Sequence, residues 1–147
     1  MSLKNQLNED MKGALRAKET ARLGALRLLL SAVRQKEIDE RIDLDDAGFV
    51  AVVEKLIKQR KDSVAQYQAA NRQDLADKEQ AEIEVLTAYM PQPFSDEEVA
   101  ALIQSALAET GAASAKDMGK VMAWLKPKVA GRADMGAMSA RIKSALA

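Results

Sequence analysis

Met90-Pro91-Gln92-Pro93-Phe94-Ser95-Asp96-Glu97-Glu98 is the stretch at which one helical pattern stops and another begins. Each proline lacks an amide proton and disfavours helix at the residue before it, so a helix arriving at Met90 ends there. Ser95, followed three residues later by Glu98, is the signature of a capping box that opens a new helix. The stretch therefore predicts a hinge at Pro91–Phe94 between a long-helix N-terminal part, residues 1–91, and a small tail, residues 94–147.

Upstream of the hinge the apolar residues repeat at helical spacing. Leu3, Leu7, Met11 and Leu15 line a first helix ending near Lys18, and Thr20 is placed to cap a second. Leu23, Leu26, Leu30 and Val33 carry that second helix to about Glu40. Asp45 or Asp46 then caps a third, with Val50, Val53, Leu56 or Ile57, Arg60, Val64 and Tyr67 out to about Ala70. At a rise of about 1.5 Å per residue, the second and third helices are each roughly 30 Å long. A fourth starts near Asp74 and runs through Ile83, Leu86 and Met90.

Downstream, Val99, Leu102, Ile103 and Leu107 form a short helix closed by Gly111. Ser114 to Asp117 repeats the capping signature before a helix over Val121, Met122 and Leu125, which is expected to stop around Lys126 ahead of Pro127. Gly131 to Asp134 makes a turn, and Asp134 caps a last helix with Met138, Ile142 and Leu146. The fold class is all-α. An aromatic share of 3 % and only three prolines among 147 residues agree with aliphatic helical seams and not with sheet.

The composition excludes several kinds of chemistry. With no Cys there is no disulfide, no thiolate metal site and no Cys nucleophile; with no His, the commonest neutral-pH base and zinc ligand are also missing. Acid pairs such as Glu82 with Glu84, or Glu97 with Glu98, do not face each other on a helix. No spacing singles out a catalytic set, so no catalytic residue, metal or cofactor is assigned. The N-terminus has acids early and no apolar run of signal-peptide length, and no segment reaches the roughly 20 apolar residues that span a bilayer. The expectation is a protein without membrane attachment, located in the cytoplasm.

Charge is unevenly distributed although its total is zero. From Lys116 to the end there are seven bases against two acids, whereas Gln92 to Ala115 holds four acids and no base. Lys126, Lys128 and Arg132 bracket Pro127 and Gly131, close in sequence to the first amides of the last helix, a setting that favours phosphate. Against this stands the reading of a solvated basic surface, with Asp134 capping the helix and Arg132 merely pairing with it. Gly119, costly inside a helix, marks either a close helix contact or room for a ligand backbone beside Lys120. Trp124, the single tryptophan, is read as core before it is read as a stacking platform. Arg27, Arg34, Lys55, Lys58, Arg60 and Lys61 form a second basic group, with Glu37, Glu54 and Asp62 among them to supply helical ion pairs.

Several runs, taken in order, carry a resemblance. They are Leu26-Arg27-Leu28-Leu29-Leu30-Ser31-Ala32-Val33, Arg60-Lys61-Asp62-Ser63, Arg72-Gln73-Asp74-Leu75-Ala76, Glu79 with Glu82, and Tyr89-Met90-Pro91. In the tail, Met118-Gly119-Lys120-Val121-Met122, Pro127-Lys128-Val129 and Gly131-Arg132-Ala133-Asp134 complete the set. Over nearly its whole length the chain resembles the GatB/YqeY family. What that implies is a stand-alone YqeY-like protein similar to the C-terminal helical and tail regions of the B subunit of the tRNA-dependent amidotransferase. That enzyme amidates misacylated Glu-tRNA(Gln) or Asp-tRNA(Asn) with glutamine as donor, and its tail region contacts the tRNA. By the same resemblance Gly119, Lys120, Lys126, Lys128, Gly131 and Arg132 become the candidate RNA contacts. The implied function is a non-catalytic tRNA-binding accessory module. Two alternatives stay open: an adaptor whose basic tail binds an acidic protein, and a subunit whose carbon-nitrogen ligase activity is completed by a partner. The domain that activates the acyl group in the full subunit has no counterpart here, so ligase activity rests on kinship alone.

Overall fold

The computed structural model describes residues 1–147 and contains only helices, confirming the all-α class. By its internal contacts the chain divides into two compact units, Met1–Met90 and Pro91–Ala147.

The first unit holds α1 (Leu3–Arg16), α2 (Thr20–Glu40), α3 (Asp46–Ala69) and α4 (Gln73–Thr87). Ser2 caps α1 by accepting from the Asn5 amide at 3.2 Å, and Asp45 caps α3 by accepting from Gly48 at 2.8 Å. Leu7, Leu26, Leu29, Val33, Phe49, Val53 and Leu86 form one closed aliphatic core. Tyr89 joins it just beyond α4, its ring tilted 49° against Phe49 at 5.8 Å between centroids. Its hydroxyl donates to the Asp10 carboxylate; burial first, and that bond second, push the phenol well above its ordinary pKa. Lys4 ties α1 to the end of α2 through Glu37 at 2.9 Å and to Asp43 in the following loop. Arg60 on α3 meets Glu82 on α4 at 2.9 Å, with side chains only 14 % and 18 % exposed, so this is the most shielded ion pair of the protein.

Two expectations are corrected in this unit, whereas the expected start of α4 near Asp74 holds. Leu15 is 60 % exposed, and Ala14 takes its place in the core beside Leu7. Steps of four residues drift about 40° each around a helix, so the fourth member of such a row has left the face on which it began. Thr20 does not cap α2; Glu19 occupies the cap position without a side-chain bond. Asp74 lies inside the first turn of α4 behind Arg72, which binds its carboxylate through two nitrogens at 3.1 Å each.

The second unit holds α5 (Asp96–Thr110), a single 3-10 turn (Ala115–Asp117), α6 (Met118–Val129) and α7 (Met135–Leu146). Ser95 caps α5 by accepting from Glu98 at 3.1 Å, and Gly111, at φ 67, closes it in the left-handed conformation that glycine adopts without a Cβ penalty. Val121, Leu125 and Val129 on α6 interlock with Met138, Ile142 and Leu146 on α7 and with Val99, Ile103 and Ala106 on α5. Both rows step by four over only two steps, short enough to stay on one face. The expected stop of α6 at Lys126 is also corrected: the helix passes through Pro127 and ends at Val129. Proline there removes a single amide donor near the helix end, while the extra turn carries Val129 to complete burial.

Candidate nucleic-acid interface

The proposed contacts are distributed over α6 and the turn that follows it. Lys120, Trp124 and Lys128 succeed each other by four residues and so occupy one stripe of the helix surface. Trp124 is half-buried, packed at the edge of the tail core, with the Lys128 ammonium 3.8 Å from its ring centroid. This is a cation-π contact worth about 0.5–1 kcal/mol at an exposed site. The expectation that Trp124 belongs to the core thus holds for one side of the ring only. Lys120 stands 3.9 Å from Asp117, whose carboxylate accepts from the amides of Ala113 at 2.9 Å and Ser114 at 3.3 Å. Those two amides, in that order, hold the Asp117 carboxyl below its ordinary pKa. The stabilisation this gives the start of α6 is present above the ordinary carboxylate pKa and is lost as pH falls through the lowered value.

Lys126 lies about 120° round the helix from Lys120, is exposed, and has no acidic partner. It shares a face with Gly119, one two-turn repeat earlier. A Cβ built on Gly119 meets nothing within 4 Å, so close helix contact is not what that glycine provides. Gly119→Ala is accordingly expected to raise the stability of the tail by about 0.5–1 kcal/mol, read as a higher thermal midpoint of Trp124 fluorescence. A lower midpoint would contradict the open space seen there. Weaker tRNA binding by the same variant would mark close approach of a ligand backbone, and unchanged binding would remove Gly119 from the contact set.

Arg132 has a different role from the lysines. It does not pair with Asp134. Its guanidinium lies over the Phe94 ring at 3.7 Å, its Nε donates to the Gln92 carbonyl at 2.9 Å, and its own carbonyl accepts from the Phe94 amide at 2.9 Å. Arg132 thereby fastens the Gln92–Phe94 segment onto the turn after α6. Gly131 makes that turn at φ 74, a conformation that L side chains rarely adopt. Asp134 caps α7 from Gly136 at 3.4 Å and Ala137 at 3.1 Å, so these amides are already occupied and do not form an open phosphate cradle. The sequence reading missed Phe94 as the partner of Arg132. It also missed the Trp124–Lys128 pair, although their separation of four residues is the one signal that gives it away.

The N-terminal unit has two open grooves, one of about 580 Å³ between α2 and α4 floored by Gly24, Ala25, Leu28 and Val85, and one of about 300 Å³ between α2 and α3. Neither gathers a catalytic set of side chains. No group of three or more His, Cys, Asp or Glu residues is arranged to hold a metal ion, and no helix is long and apolar enough to cross a membrane.

Residues 4–146 match the family described as Yqey-like protein. The chain belongs to that family. Among curated relatives, this Yqey-like protein is 40 % identical over 106 residues to altered inheritance of mitochondria protein 41 of Lachancea thermotolerans, covering 70 % of this chain and 57 % of the relative. The proteins of the same name from Kluyveromyces lactis and Saccharomyces cerevisiae are 43 % identical over 84 residues and 40 % identical over 93 residues, covering 56 % and 62 % of this chain and 45 % and 50 % of theirs. The Yqey-like chain thus spans about half the length of the curated relatives it matches. Their names are mitochondrial, and this corrects the expectation of a cytoplasmic location. That expectation rested on the lack of a secretory signal and of a spanning segment, and neither feature separates the cytoplasm from the interior of an organelle.

Proposed function

We propose that the tail unit is an RNA-docking surface and the protein a non-catalytic accessory module for tRNA. The observation that carries this reading is the Lys120–Trp124–Lys128 stripe, an aromatic ring set between cations on one helix face, with Lys126 unpaired on another face of α6. Cations meet phosphate oxygens, and once Lys128 moves from the face of the ring to a phosphate that face can stack on an unpaired base, which is how proteins hold the loops of folded RNA. The resemblance to the tail of the amidotransferase B subunit supports the same reading. Kinship alone supports a ligase reading, and no arrangement of side chains in this chain adds to it.

About four phosphate contacts give a log-log salt slope near −3 and hence modest affinity at physiological salt. Organellar tRNA is the first RNA to test, given the mitochondrial names of the relatives. Binding of deacylated tRNA is expected to saturate, to weaken with that slope, and to survive a heparin concentration of equal charge. Displacement by heparin as readily as by tRNA would leave only unspecific attraction, and absence of binding at low salt would turn the reading towards an acidic protein partner.

A further inference from the structure

Arg27, Arg34 and Arg41 follow one another at intervals of seven residues on α2 and at its C-terminal cap, and all three are exposed. Seven residues are close to two full turns, so Arg27 and Arg34 share one face with about 10.5 Å of helical rise between them, and Arg41, left-handed at φ 54, follows at the end of the helix. The acids near the row make contacts of their own, some with lysines and some, which keep their negative charge, with neutral donors. Glu37 holds Lys4 and the Leu44 amide, both at 2.9 Å, Asp39 accepts from Gln35 at 2.8 Å, and Glu40 pairs with Lys36. On α1, Glu9 pairs with Lys12 and Asp10 accepts from Tyr89. The three arginines enter no ion pair. Ser31 and Ile38 stand on the same face between them, and the exposed acids Asp39 and Glu40 lie more than about 100° round the helix.

We infer that this arginine row is a second nucleic-acid surface, independent of the tail, that lies along the phosphate backbone of a duplex. Guanidinium groups present a planar fork that matches phosphate oxygens and stay charged at any accessible pH. The helix holds Arg27 and Arg34 at a fixed interval with Arg41 at its end, and a duplex carries one charge per roughly 1.7 Å of its axis, so each arginine finds phosphates within reach. The choice of duplex over single strand follows from the aromatics of this unit: Phe49 and Tyr89 are buried and Tyr67 is half-buried on α3, so no ring stands in the row for a splayed base to stack upon. The surface reads backbone and not sequence.

The test uses the full chain and a 20-base-pair RNA duplex of arbitrary sequence, with the matching DNA duplex to separate the two backbones. Arg27→Gln with Arg34→Gln and Arg41→Gln is expected to make the salt slope shallower by about two to three units and to weaken low-salt binding more than tenfold, with helicity unchanged. Lys55→Gln with Lys58→Gln and Lys61→Gln removes the same charge from α3 and is expected to shift the slope by less than one unit. Lys126→Gln with Lys128→Gln leaves the effect of the arginine substitutions in place, so failure of the tail surface and failure of the row are read separately. An unchanged slope in the arginine variant, or an effect no larger than that of the α3 variant, overturns the inference. So does a loss confined to phosphatidylserine vesicles or to polyglutamate with duplex binding untouched.

Discussion

Leu125→Ala is expected to unfold the tail while residues 1–90 remain folded. Leu125 is fully buried at the centre of α6, and truncating such a leucine costs about 2–5 kcal/mol. At about 0.05–0.15 kcal/mol per residue, a unit the size of Pro91–Ala147 has only about 3–9 kcal/mol in total, so one substitution removes much or all of it. The two cores have no residue in common, and Leu7, Leu26, Phe49 and Leu86 keep every neighbour they had. The single tryptophan lies in the tail, so its fluorescence follows that unit alone, whereas far-UV circular dichroism follows both. In the variant, urea is expected to move the fluorescence transition to much lower concentration while a second dichroism transition stays in place. One concerted transition in both signals would contradict two separately stabilised cores.

Charge reversal at Lys126 and Lys128 is expected to have the largest effect on binding. Neither lysine pairs with an acid, and both are exposed while Val121, Leu125 and Val129 fill the core. Lys126→Glu with Lys128→Glu therefore leaves the tail folded, at the expense of one cation-π interaction with Trp124. Each phosphate that is no longer neutralised takes away about one unit of salt slope, so the slope is expected to become shallower by about two and low-salt tRNA affinity to fall more than tenfold. Equal tRNA affinity for variant and wild type across the salt series would take both lysines out of the interface. Arg132 makes a poorer probe. Its replacement also releases the Gln92 carbonyl and uncovers Phe94, so weaker binding there would mix charge with local disorder of the connecting segment.

What could be read in the sequence follows from which signals are local. Caps are local, and Ser95, Asp45 and Asp134 act where their spacing to the following amides said they would. Apolar rows are readable over two steps and misleading over three, which is why the spacing assigns Leu15 to a face it has already left. Pro127 is a weaker stop than its rule suggests, because the rule against helix before proline is a bias that burial of Val129 outweighs. The site was legible as a set of cations and not as an arrangement. Which acid neutralises which base is decided across helices: Lys4 reaches α2 and Arg60 reaches α4, while the acids beside Arg34 are drawn away from it. Arg132 illustrates the same limit, since its ring partner Phe94 and carbonyl partner Gln92 stand some 40 positions earlier in the chain.

Trp124 gives the most direct test of the proposed function, because the only tryptophan of the protein sits within the contact stripe. Titrating the protein with deacylated tRNA at low salt is expected to produce a saturable change in its fluorescence, with a midpoint equal to the dissociation constant measured on labelled tRNA and abolished together with it by Lys126→Glu and Lys128→Glu. A tRNA complex that forms with no response from Trp124, and is indifferent to the two substitutions, would contradict the assignment of this face of α6 to RNA.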